Sequence, residues 1–272
     1  ISSTNVKTND FSWQTSLIYS HNRTEITDLY NQGRVIDLVQ GNGFAKQGYP
    51  ARALFSIPFV GINEKGNPVC INEKGQATVG DLNFQERNNT DYLIYEGSTD
   101  PIYNGSLGNT FNYKGFHLNL FLTYAFGNVV RLDPVFKAKY NDLTSMTHDF
   151  KNRWMQPGDE NVTNVPGVVS RYEYEQNRTL LSTAYNAYNY TSVRTAKGDF
   201  IRLKEISLAY DFPHRWLENS PVNNISLKLQ ATNLMLLYAD KKLNGQDPEF
   251  MNAGGVASPM PKQFTLTLKL GL

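Results

Sequence analysis

The sequence predicts an all-β fold built from long antiparallel strands, each with one apolar and one polar face. Aromatic residues make up 12% of the chain, with 16 Tyr and 15 Phe, although only 40% of the residues are hydrophobic. Aromatic residues favour strands, and a modest hydrophobic fraction suits sheets that bury one face only. Helical spacing of apolar residues is rare, and Gly, Asn and Pro interrupt the chain throughout.

Six segments alternate regularly enough to be strands. They are 9 to 14 residues long, whereas strands in globular proteins average about five or six. In the first, Phe11, Trp13, Leu17 and Tyr19 fall on one face, opposite serines and a glutamine. The predicted strands are 11–22, 105–113, 116–127, 199–212, 224–237 and 264–272, and residues 1–6 are a candidate seventh.

The last segment has the most regular alternation in the chain. Its apolar residues lie opposite Thr265, Thr267, Lys269 and Gly271. We predict that this apolar row faces lipid and that the strand is the barrel-closing, assembly strand. The alternative is an ordinary sheet strand over a soluble core. The apolar row consists of Phe264, Leu266, Leu268, Leu270 and Leu272.

The length and pattern of these strands fit a membrane-spanning sheet. A transmembrane strand needs about 9 to 11 residues, an apolar outer face, a polar inner face and aromatic residues near its ends. No apolar run approaches the roughly 18 residues of a membrane-spanning helix. A soluble β-sandwich also has alternating strands and stays open as an alternative.

The connections between the strands differ greatly in length. Residues 112–116 (NYKGF) form a tight hairpin and 213–224 a moderate turn, whereas 23–104, 128–198 and 238–262 are long. If the last strand ends on the periplasmic side, every long connection lies outside, as in bacterial outer-membrane barrels. Six or seven strands are too few to close a barrel, which needs at least about eight. We therefore expect further strands before the first residue.

Residues with catalytic or metal-binding chemistry are sparse. The four histidines are scattered without ligand spacing, and the single cysteine, Cys70, predicts an inert thiol. Two carboxylate pairs, Asp159 with Glu160 and Asp247 with Glu249, lie in connections, where solvated carboxylates are commoner than ion sites. The net charge of +1 gives no general attraction to nucleic acid. We expect no enzyme activity, no metal, no cofactor and no nucleic-acid partner.

One connection is rich in tyrosine. The segment 171–194 places five tyrosines among Asn and Thr residues. Tyrosine rings stack on sugars or pack against peptides, and their hydroxyls form hydrogen bonds, so we predict ligand contacts at an outer vestibule. An aromatic-rich loop that packs on itself or on a partner protein is the alternative. The five are Tyr172, Tyr174, Tyr185, Tyr188 and Tyr190.

Two cationic residues interrupt an otherwise apolar row. Strict alternation places Arg202 and Lys204 on the same face as Ile206 and Leu208. Charges on a lipid-facing row are costly at the midplane but tolerated near an interface. We therefore predict that both side chains snorkel at the outer rim, with a latch to a neighbouring strand as the alternative.

The sequence INEKG occurs twice within the first long connection. It covers 62–66 and again 71–75, and each copy ends in a glycine that suits a tight turn. Such turns predict a small hairpin and indicate no chemistry.

Six stretches match one transporter family in the order in which they follow each other along the chain. They are DFSWQTSLIYSHN (10–22), EGSTDPIYNGSLGNTFNYKGFHLNLFLTYAFGN (96–128), GDFIRLKEISLAYDFP (198–213), LQATNLMLL (229–237), DPEF (247–250) and PKQFTLTLKLGL (261–272). On these stretches the chain resembles the C-terminal part of SusC/RagA-type TonB-dependent outer-membrane transporters. The second and third stretches are the specific ones when they occur together.

This resemblance implies a barrel of about 22 strands with an N-terminal plug domain. Residues 1–272 are then the C-terminal portion of the barrel, with about six or seven strands, and the plug and earlier strands lie outside this chain. It implies TonB-dependent uptake of oligosaccharides or peptides across the bacterial outer membrane, with a SusD-like lipoprotein as lid. The TonB complex is reached through the absent N-terminal part. A soluble or surface-exposed glycan-binding β-sandwich and a passive porin-type barrel stay open as alternatives.

Overall fold

The computed structural model describes residues 1–141, 143–218, 221–251 and 261–271. The strands are β1 (Ser2–Lys7), β2 (Phe11–His21), β3 (Ala53–Ser56), β4 (Phe59–Ile62), β5 (Pro68–Ile71), β6 (Ala77–Thr78), β7 (Ile94–Ser98), β8 (Tyr103–Tyr113), β9 (Phe116–Phe126), β10 (Val129–Arg131), β11 (Thr195–Lys197), β12 (Phe200–Asp211), β13 (Asn224–Ala239) and β14 (Gln263–Gly271). The α-helices are α1 (Val35–Val39), α2 (Arg171–Gln176) and α3 (Arg178–Asn189). Short 3₁₀ turns cover His148–Asn152, Asp159–Asn161, Ser192–Arg194, His214–Trp216 and Lys241–Leu243. Among the described residues, no helix is long and apolar enough to cross a membrane.

Seven long strands form one antiparallel sheet in the order β1-β2-β8-β9-β12-β13-β14. Each pairs with the next long strand along the chain, so the sheet is a meander interrupted by insertions. All six predicted strands and the candidate seventh are present, with small shifts at their ends. The predicted all-β class and the antiparallel arrangement of long strands are confirmed.

The two faces of this sheet differ in polarity on every strand. One cross-strand row is apolar throughout and consists of Val6, Trp13, Phe111, Leu118, Leu208, Leu229 and Leu266. The adjacent row is polar throughout and consists of Thr4, Gln14, Thr110, Asn119, Ser207, Gln230 and Thr265. We call these sides the apolar face and the polar face. A register slip of one residue would exchange them, so the alternation specifies the pairing.

All the long connections leave the sheet at one end. The starts of β8 and β12 lie beside the ends of β2, β9 and β13, so residues 22–102, 127–199 and the segment that follows β13 emerge together. The short turns lie at the other end. One of them is the two-residue turn Lys114–Gly115, whose φ angles of 46° and 88° are those of a type I′ hairpin. The predicted division into short-turn and long-connection ends is confirmed.

A β-bulge in β12 decides which face carries Arg202. The register with β9 shifts between Leu203 and Glu205, so Lys204 is an extra residue. Arg202 consequently lies opposite Thr123, on the polar face. The prediction that Arg202 belongs to the lipid-facing row and snorkels there is wrong, because strict alternation does not continue through a bulge.

The clusters of packed, buried apolar residues lie in the long connections and not in the seven-stranded sheet. Residues 22–102, 127–141, 143–199 and 240–251 form a folded layer at the long-connection end, which we call the cap. Arg131 joins its parts, because its guanidinium donates hydrogen bonds to the carbonyl oxygens of Val39, Phe55 and Thr191. Burial lowers the pKa of Arg131 to about 10. The main core cluster consists of Val35, Leu38, Val39, Ala53, Phe55, Ile57, Cys70, Leu93 and Ala187.

The cap contains helices in the tyrosine-rich connection, for which the sequence predicts a loop. Most of 171–194 is helical, so that expectation is wrong. The hydroxyl of Ser170 caps α2 by accepting the backbone N–H of Glu173, at 3.1 Å. Helix α3 buries the positions Leu181, Ala184, Tyr185 and Tyr188, which recur with the spacing of one helical face. Tyrosine therefore serves as a core residue here.

The repeated INEKG sequence forms two successive turns that join β4 to β5 and β5 to β6. In each, the asparagine side chain accepts two backbone N–H groups, two and four residues further on. Gly66 and Gly75 occupy equivalent positions with φ angles of 79° and 75°. The predicted hairpin is confirmed, and it occurs twice.

Candidate binding site beneath the cap

A cavity of about 600 Å³ lies between the cap and the polar face of the sheet. All three long connections contribute to it, as do strands β8, β9 and β12. The sheet supplies Asn104, Gly105, Ser106, Tyr124, Ala125 and Phe200, and the connections supply Arg52, Thr99, Pro101, Asn128, Gly198, Pro248 and Glu249. The sheet and all three long connections therefore share this cavity.

The pairing of neighbouring strands brings together the sheet residues that line the cavity. Asn104, Ala125 and Phe200 lie side by side on neighbouring strands. All three belong to the polar face. Their row lies next to the row that contains Ser106 and Arg202, on the side nearer to the long connections. Small and amide side chains in these rows leave room between sheet and cap.

A buried ion pair holds the third long connection against this part of the sheet. One terminal nitrogen of Arg202, Nη2, lies 2.6 Å from Asp247 Oδ1 and 3.2 Å from Glu249 Oε2. The side chains of Arg202 and Asp247 are only 7% and 8% exposed, whereas that of Glu249 is 42% exposed. Buried charges need such pairing. Asp247 is thus the anchor, and Glu249 reaches the cavity.

The first connection brings a guanidinium to the same cavity. Arg52 Nη1 lies 2.7 Å from Asp100 Oδ1, and Arg52 Nε donates to the carbonyl oxygen of Asn42 at 2.9 Å. The side chain stays 44% exposed. A guanidinium carries five N–H donors, so Arg52 keeps donors for a ligand.

The second connection contributes an asparagine with an unsatisfied acceptor. Asn128 is 8% exposed, and its side-chain oxygen has no hydrogen-bond partner among the described residues. Its backbone carbonyl accepts the N–H of Gly198 at 2.9 Å. A Cβ at position 198 would overlap the Asn128 amide, so a larger residue there would displace that side chain.

The five tyrosines that are predicted together as ligand contacts lie in different parts of the cap. Tyr185 and Tyr188 are buried in the cap core, where the Tyr185 hydroxyl donates to the carbonyl oxygen of Gly167 at 2.6 Å. Burial raises the pKa of both phenols. Tyr190 is partly buried and packs on Phe84. These three rings support the cap and present little surface to a ligand.

The other two tyrosines lie on α2 at the surface of the cap. Tyr172 is 78% exposed, and the Tyr174 hydroxyl lies 3.4 Å from the Ser182 hydroxyl. That hydrogen bond, together with the nearby Arg178, lowers the pKa of Tyr174. None of the five lines the cavity. A ligand-binding role for Tyr172 and Tyr174 remains a prediction.

Strand β14 presents its apolar row to the surroundings. Phe264, Leu266, Leu268 and Leu270 are 71%, 69%, 59% and 53% exposed. Within the described residues, β14 pairs with β13 on one side and lies at an edge of the sheet, as β1 does at the other. Leu272 lies outside the described residues. The assembly and barrel-closing role of this strand remains a prediction.

The other side chains with reactive or ion-binding chemistry are buried or hydrogen-bonded within the protein. Burial raises the pKa of the Cys70 thiol to about 12, which makes it a poor nucleophile. Asp159 accepts two backbone N–H groups, and Glu160 accepts the indole N–H of Trp154 at 2.9 Å. No group of three or more His, Cys, Asp or Glu residues in the described ranges could hold a metal ion.

Three polar side chains that line the cavity are not singled out from the sequence, namely Arg52, Asn104 and Asn128. Asn104 had a usable signal, because it falls on the polar face of a recognised strand. Arg52 and Asn128 had none, since both sit in connections whose fold was not predicted.

The chain shares sequence with curated TonB-dependent receptors. It is 23% identical to TonB-dependent receptor P39 of Formosa agariphila over 298 aligned positions, which cover 93% of this chain and 27% of that protein. It is 25% identical to receptor P26 of the same organism, over 99% of this chain and 28% of that protein. No family model matches the chain.

Solved structures give the same result for the fold. One described as the RagAB peptide transporter superposes with a TM-score of 0.69 at 20% identity, over 99% of this chain and 28% of that chain. The RagAB peptide importer in the "closed-closed" state gives 0.68 at 21% identity. The resemblance to SusC/RagA-type TonB-dependent transporters is confirmed. The chain spans about a quarter of the length of the curated relatives that it matches, so it corresponds to a segment of the SusC/RagA-type fold.

Proposed function

We propose that residues 1–272 are the C-terminal wall segment and outer connections of a TonB-dependent transporter that imports oligosaccharides or peptides across the bacterial outer membrane. The apolar face then meets lipid, the polar face lines the lumen, and the cap lies on the outer side. The plug domain and earlier strands belong to the protein outside this segment, and the TonB complex acts through them.

One observation carries this proposal, namely the cavity at which all three long connections meet the polar face of the sheet. An importer needs a binding place at the outer mouth of its lumen, and pockets of about 300–1,000 Å³ are typical of ligand sites. A passive porin instead keeps a water-filled lumen open. The folded cap over the wall favours capture of a ligand over passive flow.

The exposed apolar face argues against a soluble β-sandwich. A sandwich covers each apolar face with a second sheet about 10 Å away. In the described ranges the row from Phe264 to Leu270 is more than half exposed, as is Leu229. Lipid is the surrounding that suits such a continuous apolar face.

A SusD-like lipoprotein is the partner that we propose for the cap. Large apolar side chains are exposed on its surface, among them Tyr30 at 98%, Val162 at 84% and Tyr172 at 78%. Exposed aromatic residues are enriched where proteins meet. The neighbouring RagAB structures, described as a peptide transporter, support the peptide branch of the substrate proposal.

Uptake by the full-length protein tests the proposal. The native strain and a strain lacking the gene are grown on mixtures of labelled oligosaccharides and peptides, each with TonB intact and with TonB deleted. We expect labelled substrate to accumulate only when both the transporter and TonB are present. Uptake that persists without TonB would support a passive porin, and recovery of the protein in the soluble fraction would support the β-sandwich.

A further inference from the structure

A second pocket, of about 350 Å³, lies where strands β2 and β8 meet the cap. Tyr103 lines it, whereas the next residue, Asn104, lines the cavity beneath the cap. His21, which pairs with Tyr103 between the two strands, lines the pocket as well. Both are an even number of residues from Trp13 and Phe111 on their own strands, so alternation places them on the apolar face. The pocket therefore lies on the apolar side of the sheet.

Aromatic residues form a belt at each end of this apolar face. The belt at the long-connection end consists of Tyr19, Tyr103, Tyr124, Phe126 and Tyr238, and the belt at the short-turn end consists of Phe11, Tyr113, Phe116 and Tyr210. Transmembrane barrels have such belts at both lipid head-group levels, on either side of an apolar band about 25 Å tall. Because Tyr103 belongs both to the belt and to the pocket lining, the pocket lies at the head-group level of the long-connection end.

Aromatic rings form much of the pocket wall. The ring centroids of His21 and Tyr103 are 5.0 Å apart, and those of Tyr49 and Tyr95 are 4.9 Å apart. Tyr95 and Tyr103 are each 40% exposed, so their ring surfaces are accessible to a ligand. Tyrosine rings stack on sugar rings, and their hydroxyls form hydrogen bonds with sugar hydroxyls. The wall therefore suits a sugar.

The charged groups of the pocket suit a phosphate attached to that sugar. Arg23 and Glu25 are exposed, and neither makes a hydrogen bond or ion pair with another described residue. Burial raises the pKa of the Tyr95 phenol, and the nearby charge of Arg23 opposes this shift. A guanidinium binds phosphate through paired N–H donors, and a carboxylate accepts hydrogen bonds from sugar hydroxyls. The other acidic residue, Asp100, is compensated by Arg52 at 2.7 Å.

We propose that this pocket binds the phosphorylated sugar head group of a membrane glycolipid. Arg23 binds the phosphate, Glu25 accepts a sugar hydroxyl, and Tyr103 packs on the ring, while the acyl chains lie along the apolar face. Phosphatidylglycerol has no sugar ring for the tyrosines, and a soluble sugar phosphate has no chains for the apolar face. The proposal rests on the membrane placement in the proposed function. It goes beyond that function, because the site lies outside the lumen and its ligand is not the imported substrate.

Native mass spectrometry of the delipidated full-length protein in detergent tests this assignment. The probes are lipid A (an acylated, phosphorylated glucosamine disaccharide), the same lipid with its phosphates removed, phosphatidylglycerol, and soluble glucosamine 1-phosphate. Titration gives a dissociation constant for each. The variants are Arg23→Gln and Tyr103→Leu. The matched controls are Arg171→Gln, an exposed arginine on α2, and Tyr238→Leu, a belt tyrosine that does not line the pocket.

We expect the wild type to bind lipid A about tenfold or more tightly than either dephosphorylated lipid A or phosphatidylglycerol, since each of these lacks one set of contacts. Arg23→Gln should lose the preference over the dephosphorylated lipid, and Tyr103→Leu should lose the preference over phosphatidylglycerol. Both controls should keep both preferences. The substituted side chains are all partly or fully exposed, so these variants keep the fold.

Equal binding of lipid A and dephosphorylated lipid A by the wild type would overturn the assignment, as would equal losses in the control variants. If glucosamine 1-phosphate binds as tightly as lipid A, the ligand is a soluble sugar phosphate and the membrane source is wrong. Uptake in cells separates this proposal from the import function. TonB-dependent uptake without the lipid preference would overturn the lipid site alone, whereas the lipid preference without any TonB-dependent uptake would overturn the import proposal.

Discussion

The two INEKG turns provide a matched pair for testing how the cap is packed. Gly66 and Gly75 have nearly the same left-handed backbone and the same asparagine-centred hydrogen bonds. Their surroundings differ. A Cβ on Gly66 would lie 2.7 Å from Cδ2 of Trp154, whereas a Cβ on Gly75 has open space around it. Gly66 also accepts the backbone N–H of Gly167 at 2.9 Å.

Two costs decide how much stability each alanine variant loses, one from the backbone conformation and one from packing. An alanine in the left-handed region costs about 1–2 kcal/mol, and both variants bear this cost. Overpacking against a fixed ring adds about 1–3 kcal/mol, and only Gly66→Ala bears it. We therefore expect Gly75→Ala to lower the free energy of local opening by about 1–2 kcal/mol, and Gly66→Ala by about 2–5 kcal/mol.

Native-state hydrogen exchange read by mass spectrometry measures this difference in the full-length protein. The peptide that covers 150–167 should exchange faster in Gly66→Ala than in the wild type, because Trp154 and the Gly167 amide lie against this turn. In Gly75→Ala the same peptide should exchange at the wild-type rate. Equal effects of the two variants on this peptide would refute the packing described here.

Three further predictions concern single groups. Arg202→Met leaves the buried Asp247 carboxylate unpaired, and breaking such a pair costs about 3–5 kcal/mol. The segment 240–251 should then be cut by protease in the folded protein, and an uncut segment would contradict the anchor. Hydrogen bonds from Trp154 and backbone N–H groups lower the pKa of Glu160 below its ordinary 4.5. Its charge therefore stabilises the fold above pH 4.5, and this is lost as the pH falls through the lowered pKa. Glu160→Gln should be less stable than the wild type at pH 7 and converge with it in acid, as followed by thermal unfolding; a constant difference would contradict this. The Cys70 thiol should resist iodoacetamide at pH 8 until denaturant is added, and fast alkylation of the folded protein would contradict its burial.

The sheet could be predicted because the alternation of apolar and polar residues, which defines its two faces, is visible in a single sequence. Trp13, Leu118 and Leu229 each occupy the apolar position that strict alternation gives them, and the long and short connections fall at opposite ends as expected. The pattern fails where the period itself changes. The bulge at Lys204 moves Arg202 to the polar face. No residue pattern in this segment indicates that a bulge is present.

The cap could not be predicted from the connections that build it. Its core uses tyrosines such as Tyr185 and Tyr188, which look like exposed binding residues in a polar segment. The capping signal at Ser170 with Glu173 was present and could have indicated a helix. The cavity depends on contacts between residues far apart in sequence, such as Arg202 with Asp247, and periodicity carries no information about those.

Spin labelling along β13 in the full-length protein, reconstituted in a bilayer, tests the central claim that this sheet is a membrane wall. A nitroxide is placed in turn at Leu227, Lys228, Leu229 and Gln230, and its collisions with oxygen and with a water-soluble nickel chelate are compared. We predict that Leu227 and Leu229 favour oxygen and that Lys228 and Gln230 favour the chelate, since neighbouring residues face opposite sides. Chelate access at all four positions, or a Leu227 and Leu229 side closed to both reagents as in a sandwich core, would contradict the claim.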